Sequence, residues 1–277
     1  MGSTRDVEHE TDRSTESDAA TGSDREGGSA RRRVVGSGRR LFRRLNAFLA
    51  RQSIVPDRPI LDNTDFPFLP RLEENWQAVR DELDRLLEMR DELPSFHEIS
   101  PDQGRISRGD NWKVFVFWGF GKRSGRNCGR CPRTAELLDG VPGIQSAWFS
   151  IIAPGYRIPR HRGVTKGILR IHLGLKVPRD RERCWMEVGR ERVTWRDGEC
   201  IVFDDTFKHS VVNDTVEERV VLIVDFDRPM RTPGRILHRA MIATLKLSPY
   251  FRDARRHQQS WEERFEKSYA ALERALN

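Results

Sequence analysis

No uninterrupted run of 18 or more apolar residues occurs in the 277-residue chain. A helix needs about 20 such residues to cross a hydrocarbon core, so no transmembrane helix is expected. The first 30 residues lack an apolar core segment and hold eight Asp/Glu against three Arg, which argues against a signal or transit peptide. Cysteine is scarce: Cys128, Cys131, Cys184 and Cys200 are too few and too scattered for a disulfide framework, and a reducing cytoplasm fits. Cys128-Gly-Arg-Cys131 is a single CxxC with no second pair, so ordinary thiols are expected before a zinc knuckle. Acid is absent from residues 31–51, where eight arginines stand.

What is present is unevenly spread. Residues 1–30, 31–51 and 231–277 carry net charges of −5, +8 and +5 out of a formal +7, which leaves about −1 for the middle of the chain. Three regions are therefore expected: a disordered acidic then basic N-terminal arm (1–56), a main domain (57–232) and a C-terminal helical extension (233–277). A near-neutral middle and basic segments without interleaved aromatics argue against nucleic acid as partner. Residues 39–51 place Leu41, Leu45, Phe48 and Leu49 on one helical face among arginines. Such a helix either lies on an anionic membrane, as a peripheral protein at the inner face would, or packs on the domain.

Four prolines between 53 and 70 suggest an extended lead-in, and Trp76, Val79, Leu83, Leu86 and Leu87 predict a helix over 75–93 stopped by Pro94. Short β-rich runs follow at 114–118, 147–152, 169–177, 184–188, 191–195, 200–203 and 220–226, interrupted by a short helix at 134–138. A further helix follows Pro229 and ends at Pro249. The pattern predicts a mainly β sandwich or jelly roll with flanking helices at both ends.

Three of the seven histidines fall between Trp148 and Arg228. Because alternate strand residues share a face, Leu169, Ile171, Leu173 and Leu175 point into a core while Arg170 and His172 point the other way. A buried arginine and histidine require an anionic partner, expected here to be a ligand carboxylate or phosphate. Arg219, on a face with Val221 and Ile223, follows the same logic and suits a bidentate carboxylate. His161 begins a loop and His209 follows the Asp204-Asp205 turn. Imidazoles at two strand ends, facing across a barrel mouth, suit a metal.

The residues Ser150, Arg157-Ile-Pro-Arg-His161-Arg-Gly163, Leu169-Arg-Ile-His172-Leu-Gly-Leu175, Trp195-Arg-Asp-Gly198, Phe203-Asp-Asp-Thr-Phe-Lys-His209, Arg219 and Asp225 resemble the aspartyl/asparaginyl β-hydroxylase family of Fe(II)/2-oxoglutarate dioxygenases, including bacterial relatives that hydroxylate lipid acyl chains. The intervals agree as well, nine residues from His161 to Arg170 and ten from His209 to Arg219. The resemblance implies a double-stranded β-helix with iron on His161 and His209. It further implies that Ser150 and Arg219 hold the far carboxylate of 2-oxoglutarate and that Arg170 and His172 lie near its other end. Where most such dioxygenases have His-x-Asp, this chain has His161-Arg-Gly163, and Asp205 is the candidate to orient a water or His209. The implied activity is hydroxylation, using O₂, of an unactivated C–H bond in an Asp/Asn-type or lipid-linked acyl substrate. Arg157, Arg160, Arg162 and Lys166 suggest that this substrate is anionic. The competing readings are a non-catalytic metal and dicarboxylate sensor and a membrane adaptor.

Overall fold

The β-branched and aromatic runs between 112 and 227 form two antiparallel sheets. The computed structural model describes residues 40–101, 104–119, 121–247, 253–254 and 256–266. The chain divides into two compact units, Met1–Leu45 and Asn46–Asn277. Of the first, residues 40–45 are described and are helical; the acidic stretch and the arginines at 31–39 lie outside the described residues.

In the second unit α1 (46–52) precedes β1 (Ile60–Leu61), α2 (Leu69–Glu74), α3 (Trp76–Leu87), α4 (Phe96–Ile99), β2 (Trp112–Gly119), β3 (Lys122–Arg123), α5 (Gly125–Arg130) and α6 (Pro132–Asp139). Then come β4 (Ile144–Ile152), β5 (Arg157–His161), β6 (Ile168–Lys176), β7 (Cys184–Val188), β8 (Glu191–Val193), β9 (Cys200–Phe203), β10 (His209–Asn213), β11 (Arg219–Asp227), α7 (Thr232–Lys246) and α8 (256–266). The large sheet has the order β1-β9-β6-β11-β4-β2-β3, and the small one β5-β10-β7-β8. This is the expected jelly roll with flanking helices.

The central strands β2, β4, β6 and β11 are buried on both faces, which is why they read as nearly unbroken apolar runs. On the outer face Phe115, Phe149 and Leu222 stand opposite one another across three strands. There α8 packs Trp261 and Phe265 against Phe115, with ring centroids 6.0 Å apart in each case. The inner face carries the polar residues described below, and at one end Phe96 of α4 stacks on its Trp148.

Several expectations shift in detail. The helix expected to reach 93 stops at Leu87, because Pro94 holds Leu93 in an extended conformation and a 3₁₀ turn fills the gap. The proline-rich lead-in is not extended throughout, since α2 starts at Leu69 with Pro70 in its first turn, where a missing N–H costs nothing. β5 and β10 were not expected as strands. β5 contains Pro159 and lies at the edge of its sheet, where a strand accommodates proline. The helix after Pro229 ends at Lys246 with Leu247 as its cap, and Pro249 lies outside the described residues. In α1 Leu49 is fully buried, and Asn46 accepts a hydrogen bond from Lys166 N (2.8 Å) and donates to Val164 O (3.1 Å). This stretch of the basic segment thus packs on the domain and fixes the loop that follows β5. Cys128 and Cys131 are buried free thiols, and desolvation pushes Cys128 up to about 12, so both stay protonated and inert.

Candidate active site

Strand pairing places one row of side chains on the inner face of the large sheet. Val221 of β11 stands opposite Ser150 of β4 and Gly174 of β6; Ile223 stands opposite Trp148 and His172; Asp225 stands opposite Arg170. Arg219 is two residues before Val221 and so faces the same way. Ser150, His172, Arg170 and Arg219, the four residues expected to bind anions, therefore share a single surface.

Arg219 is 1% exposed, and its Nε and Nη1 have no hydrogen-bond partner. Its guanidinium lies 4.6 Å from the ring centroid of Trp195, and desolvation lowers its pKa to about 10. His172 receives a hydrogen bond on Nδ1 from Trp195 Nε1 at 3.3 Å, so its proton sits on Nε2, which is buried and unpartnered. Burial, then the nearby Arg219, holds its pKa well below the usual value. Ser150 is fully buried and accepts from Trp112 Nε1 at 3.0 Å.

Arg170 departs from expectation. Its anionic partner is not left to a ligand: Asp225, directly opposite on the neighbouring strand, takes its Nε and Nη2 at 2.6 and 2.9 Å, and Asp205 lies 3.5 Å away. Asp225 could not be assigned this role from sequence because the register of β6 against β11 decides it.

The small sheet supplies the histidines. His161 and His209 are paired directly across β5 and β10, with ring centroids 4.1 Å apart. They are neighbours within one sheet, not residues facing across a barrel mouth, and His161 ends a strand where a loop was expected. Nδ1 of each ring lies against the backbone carbonyl two residues earlier, Pro159 O at 2.9 Å and Phe207 O at 3.0 Å. This directs the proton to Nδ1 and leaves Nε2 as the lone-pair nitrogen. Desolvation is the main cause that lowers both pKa values, His209 to about 3, so both rings are neutral at pH 7. Among the described residues no group of three His, Cys, Asp or Glu is arranged as a metal cluster.

Gly163 explains the missing carboxylate at the second position after His161. A Cβ at this position would lie 2.0 Å from Asp205 Oδ1, so the carboxylate of the β9–β10 turn occupies the space that a residue-163 side chain would need. Gly163 N donates to Asp205 O at 2.7 Å, tying the two histidine strands together. Burial raises the Asp205 pKa. Its neighbour Asp204 is fully buried and accepts from Arg228, from Lys166 Nζ (2.9 Å) and from Thr206 N (2.9 Å). That network braces the turn leading to His209; Asp204 and Trp195 stand within the family motif, yet neither they nor Arg228 carry a sequence signal for the contacts they make here.

A cavity of about 520 Å³ opens beside His161, Arg170 and Asp205. Its walls include Phe96, Ile106, Trp148, Ile168, Ile242 and Leu245, and Arg105, Arg162 and Lys246 also line it. Of the four cations expected at the mouth, Arg157 is bound to Asp214, Arg160 to Glu187, and Lys166 to Asp57 and Asp204. Arg162 is the one that lines the cavity without a carboxylate partner among the described residues.

The aspartyl/asparaginyl β-hydroxylase family model matches residues 73–229. An ornithine lipid ester-linked acyl 2-hydroxylase of Rhizobium tropici is 36% identical over 219 residues, covering 79% of this chain and 77% of that protein. The human aspartyl/asparaginyl β-hydroxylase is 34% identical over 58% of this chain, which spans only 21% of the human protein. The aspartate β-hydroxylase domain-containing protein 2 of Rattus norvegicus is 33% identical, with 63% of this chain and 53% of that protein covered. The matched segment contains every strand except β1 and each residue of the polar row, and on these grounds the chain belongs to the aspartyl/asparaginyl β-hydroxylase family and is a hydroxylase.

Proposed function

We propose that the protein is an Fe(II)- and 2-oxoglutarate-dependent dioxygenase that hydroxylates an acyl chain of a lipid-linked substrate. The observation that carries the reading is Arg219. A fully buried guanidinium with two nitrogens unbonded is strongly unfavourable unless an anion completes it. It shares its face with Ser150 and the unpartnered Nε2–H of His172, so the donors suit a dicarboxylate. Arg219 and Ser150 would hold the far carboxylate, and His172 and Arg170 would lie at the near end. Asp225 keeps Arg170 in place.

His161 and His209 would hold the iron. Two neutral imidazoles with Nδ1 occupied and Nε2 free are the donor set a divalent metal takes, and Asp205, whose carboxylate fills the space beside Gly163, would orient a water on the metal. Bound there, iron with 2-oxoglutarate and O₂ supplies the oxidising power to hydroxylate a C–H bond, with succinate and CO₂ as co-products. The chain's own residues bind, orient and shield. Trp195 closes over Arg219 and His172, keeping water from the anion end.

The apolar cavity walls favour an acyl chain. Among the cations of the cavity Arg170 is already neutralised by Asp225, which leaves Arg105, Arg162 and Lys246 for an anionic headgroup or side chain. The first relative above acts on a lipid-linked acyl group by its name, in keeping with this reading. Incubation with Fe(II), 2-oxoglutarate and either lipid extracts or Asp/Asn peptides, with succinate measured, tests it. Succinate release stimulated by lipid supports the reading. Stimulation by peptides alone overturns the substrate assignment, and no 2-oxoglutarate binding at all favours a non-catalytic role.

A further inference from the structure

Helix α7 presents a face that is exposed and runs into the wall of the cavity. Between Asp227 and Asp253 the chain has no acidic residue, yet it has Arg228, Arg231, Arg235, Arg239, Lys246 and Arg252. At about 100° per residue, Arg235, Arg239 and Lys246 fall within about 40° of arc. Ile236, Ala240, Ala243 and Leu247 form the adjoining strip, and all seven are exposed. Ile236 is 64% and Leu247 78% exposed. The opposite side, with Gly234, His238 and Met241, is buried against the domain.

The order around the helix matters. Ile242 and Leu245 line the cavity, Lys246 lines it from the cationic strip, and the apolar strip lies beyond. Val164, on the cavity rim, is also exposed, at 62%. Arg235 donates to the hydroxyl of Thr232, and no carboxylate neutralises Arg235, Arg239 or Lys246 among the described residues. A cationic strip beside an exposed apolar strip is the arrangement of a helix lying in a membrane interface, where the cations meet anionic headgroups and the apolar residues enter the acyl boundary.

We infer that this face of α7 docks onto an anionic lipid bilayer and sets the cavity rim at the lipid interface. Charge complementarity and continuity with the cavity select the occupant: nucleic acid would leave the apolar strip in water, and an acidic protein would gain nothing from a cavity beside it. The inference rests on the proposed function only in taking the cavity as the substrate chamber, and docking itself requires neither iron nor turnover.

The test is co-sedimentation of the full chain with vesicles of phosphatidylcholine, with or without phosphatidylglycerol, at low and high salt. The expected result is binding to the anionic vesicles alone, reversed by salt. Arg235→Gln/Arg239→Gln should weaken it about 25-fold, at about fivefold for each cation lost, and Ile236→Ser should weaken it several-fold. All three residues are exposed, and an unchanged melting temperature confirms that the variants fold. Binding at full strength in both variants would overturn the inference and assign the contact to the basic residues 31–51; no binding to anionic vesicles at low salt would also overturn it. Binding of 2-oxoglutarate to the Fe(II)-loaded protein, measured on the same preparations, separates the two ideas. If it is retained while vesicle binding is absent, only the docking surface fails; if it is absent while vesicle binding occurs, only the proposed function fails.

Discussion

The two sheets divide the site between them in different ways. The large sheet contributes Ser150, Arg170, His172 and Arg219 from long strands buried on both faces, and its anion-binding row is held by register. The small sheet contributes His161 and His209 from strands of five residues, one of them at an edge, and their spacing is held by a turn: Gly163 against Asp205, and Asp204 clamped by Arg228 and Lys166. A rigid sheet can bury an unpaired guanidinium; a short edge strand needs local bracing to hold a ligand still. Damage to the large sheet's row should therefore leave metal binding intact, and damage to the small sheet should leave the fold and the anion site intact.

The largest effect is expected on the small sheet. His161→Ala/His209→Ala should abolish iron binding and turnover while leaving the circular dichroism spectrum unchanged; full iron occupancy in that protein, measured by metal analysis, would break the division proposed here. Next comes Arg219 on the large sheet. Arg219→Ala should weaken 2-oxoglutarate binding by about 2–5 kcal/mol, roughly 30-fold to several-thousand-fold, since a buried charge-assisted partner is lost. Iron content should not change. Because Arg219 has no carboxylate partner, Arg219→Met should also raise the melting temperature of the ligand-free protein, replacing a costly buried charge with an apolar side chain for about 1–4 kcal/mol.

Asp225→Asn sharpens the comparison from the opposite side. It breaks a buried bidentate pair and should destabilise by about 3 kcal/mol, lowering the urea midpoint, whereas Arg219→Met raises it. Two arginines on one face would thus respond with opposite signs, one as a structural pair and one as a ligand holder.

Much of this was legible beforehand. The long strands, α3, α6 and the shared face of Arg219 and Val221 follow from periodicity, because burial on one or both sides imposes it. Strand alternation brought out Arg170, His172 and Arg219, the position of two histidines at strand ends brought out His161 and His209, and the family resemblance added Ser150. Asp225 as the partner of Arg170 was not legible, since it depends on which residues stand opposite across β6 and β11. The strands holding the histidines were also missed: Pro159 reads as loop although β5 lies at the sheet edge, which tolerates it, and β10 is short, its pairing on both sides set by β5 and β7 rather than by its own sequence. The mouth cations misled for a simpler reason: a sequence does not show which arginine already has a carboxylate.

A further effect, confined to low pH, is on acid stability. His209 has a folded pKa near 3, against an ordinary 6.5, so in the metal-free protein the unfolded chain takes up a proton first as pH falls. Stability attributable to this ring is intact above about pH 6.5 and is lost progressively toward pH 3. The difference between wild type and His209→Gln, followed by urea denaturation across that window, should therefore show the wild type losing stability faster; parallel curves would place His209 in a wetter setting than the small sheet provides.

The central claim is that the two sheets build one centre, and anaerobic calorimetric titration of 2-oxoglutarate into the Fe(II)-loaded protein tests it most directly. One equivalent should bind to the wild type. His161→Ala/His209→Ala should bind it more weakly, through Arg219 alone, and Arg219→Ala should bind it more weakly while keeping its iron. A wild type that binds no 2-oxoglutarate, or an affinity unchanged by both variants, would contradict the account.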